Sequence, residues 1–73
     1  MRYRYRIKEG YWETEGKGSV VYGVEVTERE QGIVMTVENV FCDRKTAQDF
    51  VTLCNRGGLD PIHLSEVLED VIG

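Results

Sequence analysis

Apolar residues along this chain change their period at Cys42–Asp43. Before that point they recur at every second position, and after it at close to every 3.6. Residues 3–12 predict a first strand. Tyr3, Tyr5 and Ile7 fall on one face, and Arg2, Arg4, Arg6 and Lys8 on the other, because successive strand side chains point to opposite sides. Tyr11 and Trp12 continue the strand past Gly10, where a bulge is expected. Glu13–Gly18 supplies polar residues and two glycines for a turn. Ser19–Thr27 predicts a second strand, with Val20, Tyr22, Val24 and Val26 inward and Val21, Gly23, Glu25 and Thr27 outward. A turn near Glu30–Gly32 leads to a third strand, Ile33–Val40, rich in β-branched residues. The short connections favour an antiparallel meander.

Beyond Asp43, a helix is expected from Arg44 to about Asn55, with Asp43 as its N-cap. Ala47, Phe50, Val51 and Cys54 form its buried stripe, Leu53 lies at the margin, and Gly57 or Gly58 can end it in the left-handed conformation. A last helix is expected with Asp60 as its N-cap and Pro61 in the first helical position, where its missing N–H costs nothing. Leu59 and Leu64 are spaced as a hydrophobic staple, and Leu64, Val67, Leu68, Val71 and Ile72 make the apolar face. The expected fold class is α+β: a three-stranded antiparallel meander sheet followed by an αα-hairpin packed on one face, in the order β-β-β-α-α. Residues 1–73 are read as one domain, with the meander in 1–41 and the helices in 42–73.

Composition narrows the function classes. The chain of 73 residues is 41% hydrophobic and 10% aromatic, enough for one small core and too much for a disordered tail. No apolar run approaches the ~18 residues of a membrane span, and the alternating Arg and Tyr at the start do not make a signal peptide, so a cytoplasmic protein without membrane contact is expected. The net charge of −4 opposes nucleic-acid binding, which draws its affinity from cations on phosphates. The cations are nevertheless concentrated at the start of the chain. Cys42 and Cys54 have neither metal-site nor redox-motif spacing, and at opposite ends of one helix they are too far apart to bridge. A small domain without disulfide or metal relies on good packing or on a partner subunit.

Several runs resemble a known family. Leu53-Cys54-Asn55, then Leu59-Asp60-Pro61-Ile62-His63-Leu64 and Val67-Leu68-Glu69-Asp70, are similar to the C-terminal signature of a small uncharacterised protein family of Clostridia-type bacteria. Tyr3-Arg4-Tyr5 with Trp12, and Val21-Tyr22-Gly23-Val24, resemble its N-terminal half. The resemblance implies a small intracellular bacterial protein and brings no activity, cofactor or catalytic residue with it.

Cys54, Asn55 and His63 are the one group in which a thiol, an amide and an imidazole could converge as in a Cys-His nucleophile. The apolar stripe around Cys54 argues instead for a small buried hydrophobe, and His63 is expected to hydrogen-bond Asp60, Glu66 or a loop carbonyl. Asn55 is expected to help close its helix. Gly16-Lys17-Gly18-Ser19 lacks the spacing of a phosphate loop and precedes a strand, so it reads as a hairpin turn. No catalytic residue, cofactor or metal site is expected.

Arg2, Arg4, Arg6 and Lys8 on alternate positions of one strand, with Trp12 and with Glu25 on the next, form the candidate binding face. They serve either a partner or a cross-strand ion-pair ladder to Glu25 and Glu38. Val21, Val34 and Phe41 fall off the main inward face and would mark a contact surface if they cluster. Of the two edges, cations blunt the first strand, so the third is expected to pair more readily with another chain. The expected activity is a non-catalytic protein–protein interaction or regulatory module, binding another protein or itself as a homodimer. Single-stranded nucleic acid on the basic first strand is the alternative.

Overall fold

A computed structural model describes residues 2–72, with Ile72 described by its backbone alone. The chain forms β1 (Tyr3–Thr14), β2 (Lys17–Glu28), β3 (Gly32–Phe41), α1 (Arg44–Gly57), a 3-10 turn (Pro61–His63) and α2 (Leu64–Ile72). The strands make one antiparallel sheet in the order β1-β2-β3. The β-β-β-α-α order read from the apolar periods is therefore the architecture of the protein.

β1 and β2 pair without interruption from Tyr3 opposite Glu28 to Thr14 opposite Lys17. The bulge expected at Gly10 is not present, since Gly10 pairs in register with Val21. The hairpin closes through Glu15 and Gly16, both at positive φ (54° and 78°). A two-residue turn with this backbone matches the right-handed twist of its strands, which lets both strands run longer than the polar residues around the turn suggest.

The irregularities lie in β3 instead. Tyr22 is opposite Phe41 and Val24 is opposite Val37, so Glu38, Asn39 and Val40 all stand against Gly23. Asn39 takes a positive φ of 56° to make this bulge. Gly23 is required there, because a Cβ would run into the Val37 carbonyl oxygen. A second register shift, between Val26 and Thr27, leaves Val34 out of the ladder. Two expectations about this part of the sheet are overturned. Phe41 belongs to the core, with 5% of its surface exposed, and Gly23 is buried although it lies on the outer face.

The core lies between the sheet and the helices. Tyr5, Val24, Val26 and Phe41 contribute from the sheet. Ala47, Phe50, Val51 and Cys54 contribute from α1, and Leu64 and Leu68 from α2. The α1 stripe is the one its spacing predicts, and Leu53 is exposed. Val67 is half-buried against the core and Val71 is exposed, while the side chain of Ile72 lies outside the described residues. The caps also form as expected. Asp43 accepts from the Thr46 N–H at 3.0 Å. Gly58 ends α1 in the left-handed conformation, with its N–H on the Asn55 carbonyl and the Leu59 N–H on that of Cys54. Asp60 accepts from the Ile62 N–H at 3.0 Å, but the turn it caps is 3-10 and the α-helix proper begins at Leu64.

Tyr5 ties the sheet to the far end of α1. Its N–H donates to Asn55 Oδ1 at 2.8 Å, and Asn55 Nδ2 donates back to its carbonyl at 2.9 Å. Its hydroxyl donates to the Leu59 carbonyl at 2.7 Å. Burial, followed by nearby charge, pushes the phenol pKa up to about 12. Asn55 was expected to close its own helix. Its carbonyl does so by accepting from the Gly58 N–H, while its side-chain amide satisfies a backbone pair on the free edge of β1.

Candidate functional site

The helices cover one face of the sheet and leave the other open. Alternation along β1 places Arg4, Arg6 and Lys8 on the open face, and the pairing of β1 with β2 sets Glu25 beside Arg6. Arg2 precedes β1, and its guanidinium carbon lies 5.6 Å from the centre of the Tyr3 ring. Trp12 shares the open face near the hairpin turn and is 55% exposed. Five of the six residues singled out by sequence therefore occupy one side of the sheet, spread along the strands rather than converging on a point, whereas the Arg2 guanidinium lies over the ring of Tyr3, which packs on the core side.

Half of the cation row is a ladder. Arg6 pairs with Glu25 on β2, and Lys8 Nζ reaches Glu38 Oε1 on β3 at 2.8 Å. The hydrogen bond and charge of Glu38 raise the Lys8 pKa, and those of Lys8 lower that of Glu38. Among the described residues, Arg2 and Arg4 form no ion pair. The face carries Arg4, Arg6, Lys8 and Lys17 against Glu25 and Glu38. It is thus a positive surface on a chain whose net charge is −4.

Next to the ladder is a depression of about 340 Å³ lined by Lys8, Gly10, Trp12, Val21, Glu38 and Asn39. Gly10 keeps its floor low, and the β3 bulge supplies the Glu38–Asn39 wall. Neither Gly10 nor Asn39 was singled out as a site residue. The signal in the sequence was slight: one glycine in a strand pattern, and one asparagine in a run of β-branched residues.

The other constellations do not assemble. Cys54 is buried, and burial pushes its thiol pKa up to about 11, away from the thiolate a nucleophile needs. His63 is exposed. Its backbone N–H donates to the Asp60 carbonyl, and among the described residues its imidazole makes no hydrogen bond with Cys54, Asp60 or Glu66. Among the described residues no cluster of His, Cys, Asp or Glu could hold a metal ion, and no helix is long and apolar enough to cross a membrane. Val21, Val34 and Leu53 do not join Phe41 in an exposed cluster, since Phe41 is in the core.

These features define a small α+β protein with a half-covered sheet whose open face is positive and aromatic. The whole chain, residues 1–73, matches a Family of unknown function (DUF6514), and the protein belongs to that family. Neither the curated proteins nor the solved structures include a match to it.

Proposed function

We propose that this protein is a non-catalytic interaction module that docks its open sheet face on an acidic surface of another protein. The carrying observation is the face itself, with Arg4 unpaired among the described residues and Trp12 standing over a depression at one end. A flat area with an aromatic anchor and arginine suits protein contact, where Trp and Arg are enriched among the residues that dominate affinity. The Arg6–Glu25 and Lys8–Glu38 pairs favour this reading over single-stranded nucleic acid. Cations already engaged with carboxylates release fewer counterions from phosphates. The sealed thiol of Cys54 likewise favours binding over catalysis. The family resemblance implies an intracellular bacterial protein, and a regulatory role there is part of the same reading.

The test is capture of partners from the cells that naturally make the protein, using wild type and the Arg4→Glu, Trp12→Ala double variant, with and without nuclease. The expected result is a stoichiometric protein that survives nuclease and disappears with the variant. Capture that nuclease abolishes, or that the variant leaves unchanged, overturns the reading.

A further inference from the structure

The two edges of the sheet are protected very differently. β3 is broken by two register shifts, and bulged edges pair poorly with another strand. This reverses the expectation that β3 is the better pairing edge. β1 is regular over its whole length and contains no proline. The Asn55 amide occupies both backbone groups of Tyr5, so those groups point away from β2. By strand alternation the N–H and C=O groups of Ile7, Glu9, Tyr11 and Glu13 point the same way. No backbone group of β1 past Tyr5 has such a plug among the described side-chain hydrogen bonds.

We infer that this stretch of β1 pairs antiparallel with the same stretch of a second copy, about a two-fold axis at Gly10. The inference deepens the module reading by naming a second copy as one of its partners. Three observations fix the occupant and the register. First, the Asn55 plug forbids any register that places the other strand against Tyr5. With Gly10 opposite Gly10 of the second copy, the neighbouring strand reaches its Glu15–Gly16 turn just where the plug stands. Second, charge selects the same register. It sets Glu9 opposite Tyr11 and Glu13 opposite Ile7. Moving one pair step in one direction sets Glu9 against its own copy, and in the other direction sets Glu9 against Glu13. Like charges directly opposite are unfavourable in both cases. Arg44, 3.7 Å from Glu9, lies on this seam.

Third, the pairing accounts for the bare end of the hairpin. Tyr11 is 66% and Val20 43% exposed although both lie on the core-facing side, because the helices stop short of them. An isolated two-stranded ribbon is marginal in water. In the paired arrangement each distal hairpin lies beside the proximal β1 and α1 of the other copy. The two three-stranded sheets become one, with the bulged β3 at both outer edges, so assembly closes at the dimer. The open faces merge into a single positive surface.

The test uses the full chain carrying Cys42→Ser, so that this exposed thiol cannot cross-link. Gly10 is a non-hydrogen-bonded position at the axis, where α-carbons of paired strands are about 4.5 Å apart and within disulfide reach. A Cβ at Gly10 meets only Val21, at ordinary contact distance. Gly10→Cys is expected to oxidise to a covalent dimer at least tenfold faster than Trp12→Cys or Lys8→Cys, whose side chains do not face themselves. Sedimentation equilibrium is expected to give the dimer mass for the parent chain. Glu9→Pro removes an N–H that points away from β2, so it is expected to give a monomer with an unchanged circular-dichroism spectrum. Monomer mass for the parent at all concentrations, or equal cross-linking at the three positions, overturns the pairing. A monomer that still captures a face-dependent protein sinks the dimer alone. A dimer that captures none sinks the docking reading alone.

Discussion

The β1–β2 hairpin is one regular ribbon with two unlike halves. In the proximal half, Tyr5, Val24 and Val26 are buried beneath the helices, and β3 adds a third strand. In the distal half, every residue from Glu9 to Val20 is exposed. The alternation of residue types is equally good in both. Tyr11 and Val20 face the same side as Tyr5 and Val26, yet they meet no helix. Period therefore sets which way a side chain points, and burial depends on where the second layer ends.

The sharpest way to break this comparison is to truncate one residue from each region. Leu64 is fully buried against the proximal half, so Leu64→Ala is expected to cost about 2–5 kcal/mol, enough to unfold a domain this small. Val20→Ala is expected to change stability by no more than about 0.5 kcal/mol, as for an ordinary surface site. Equal midpoints in denaturant titrations of the two variants would erase the distinction between the halves.

Next in size is the amide that plugs β1. Asn55→Ala leaves the partly buried N–H and C=O of Tyr5 without partners, a loss of about 1–3 kcal/mol. Hydrogen exchange at the Tyr5 amide is expected to accelerate well beyond that at Val24 or Val26. If it stays as slow as in the wild type, another group protects that edge.

Tyr5→Phe removes the hydroxyl bond to Leu59 and is expected to cost about 1 kcal/mol near neutral pH. Its clearer signature is at alkaline pH. The folded-state pKa of Tyr5 is raised from 10.0 to about 12 and that of Cys54 from 9.0 to about 11, so the folded state holds these protons longer than the unfolded chain. Both groups contribute fully below their unfolded values, and stability falls as pH rises through about 9 to 12. The variant is expected to lose the upper part of this fall and keep the part due to Cys54. A wild-type curve that stays flat to pH 12 would contradict the burial of both groups.

The smallest effect belongs to the ladder. Lys8→Met is expected to raise the Glu38 pKa back towards the ordinary carboxylate value, with a slight loss of stability that disappears in high salt. An NMR titration of the Glu38 carboxyl follows it directly. An unchanged pKa would show that Lys8 and Glu38 are not paired in solution.

Much of the fold was legible in residue order because its causes are local. The strand faces of β1, the α1 stripe, the Asp43 and Asp60 caps and the left-handed Gly58 each depend on residues only a few positions apart. Five of the six candidate site residues were also placed on one side by alternation alone, while Arg2, ahead of the strand, turns onto the ring of Tyr3. The tertiary structure decided what depends on long-range contact. Phe41 enters the core because the long-range pairing of β3 sets it opposite Tyr22, on the side that the helices cover, past a three-residue bulge against Gly23. The Asn55 side-chain amide serves β1 rather than its own helix because Tyr5, fifty positions away in the chain, presents two unpaired backbone groups within its reach. Val20 and Tyr11 stay exposed because the helices end before the hairpin does. Periodicity reports direction along one element, and only the packing of elements against each other determines which of those directions leads to a neighbour and which to water.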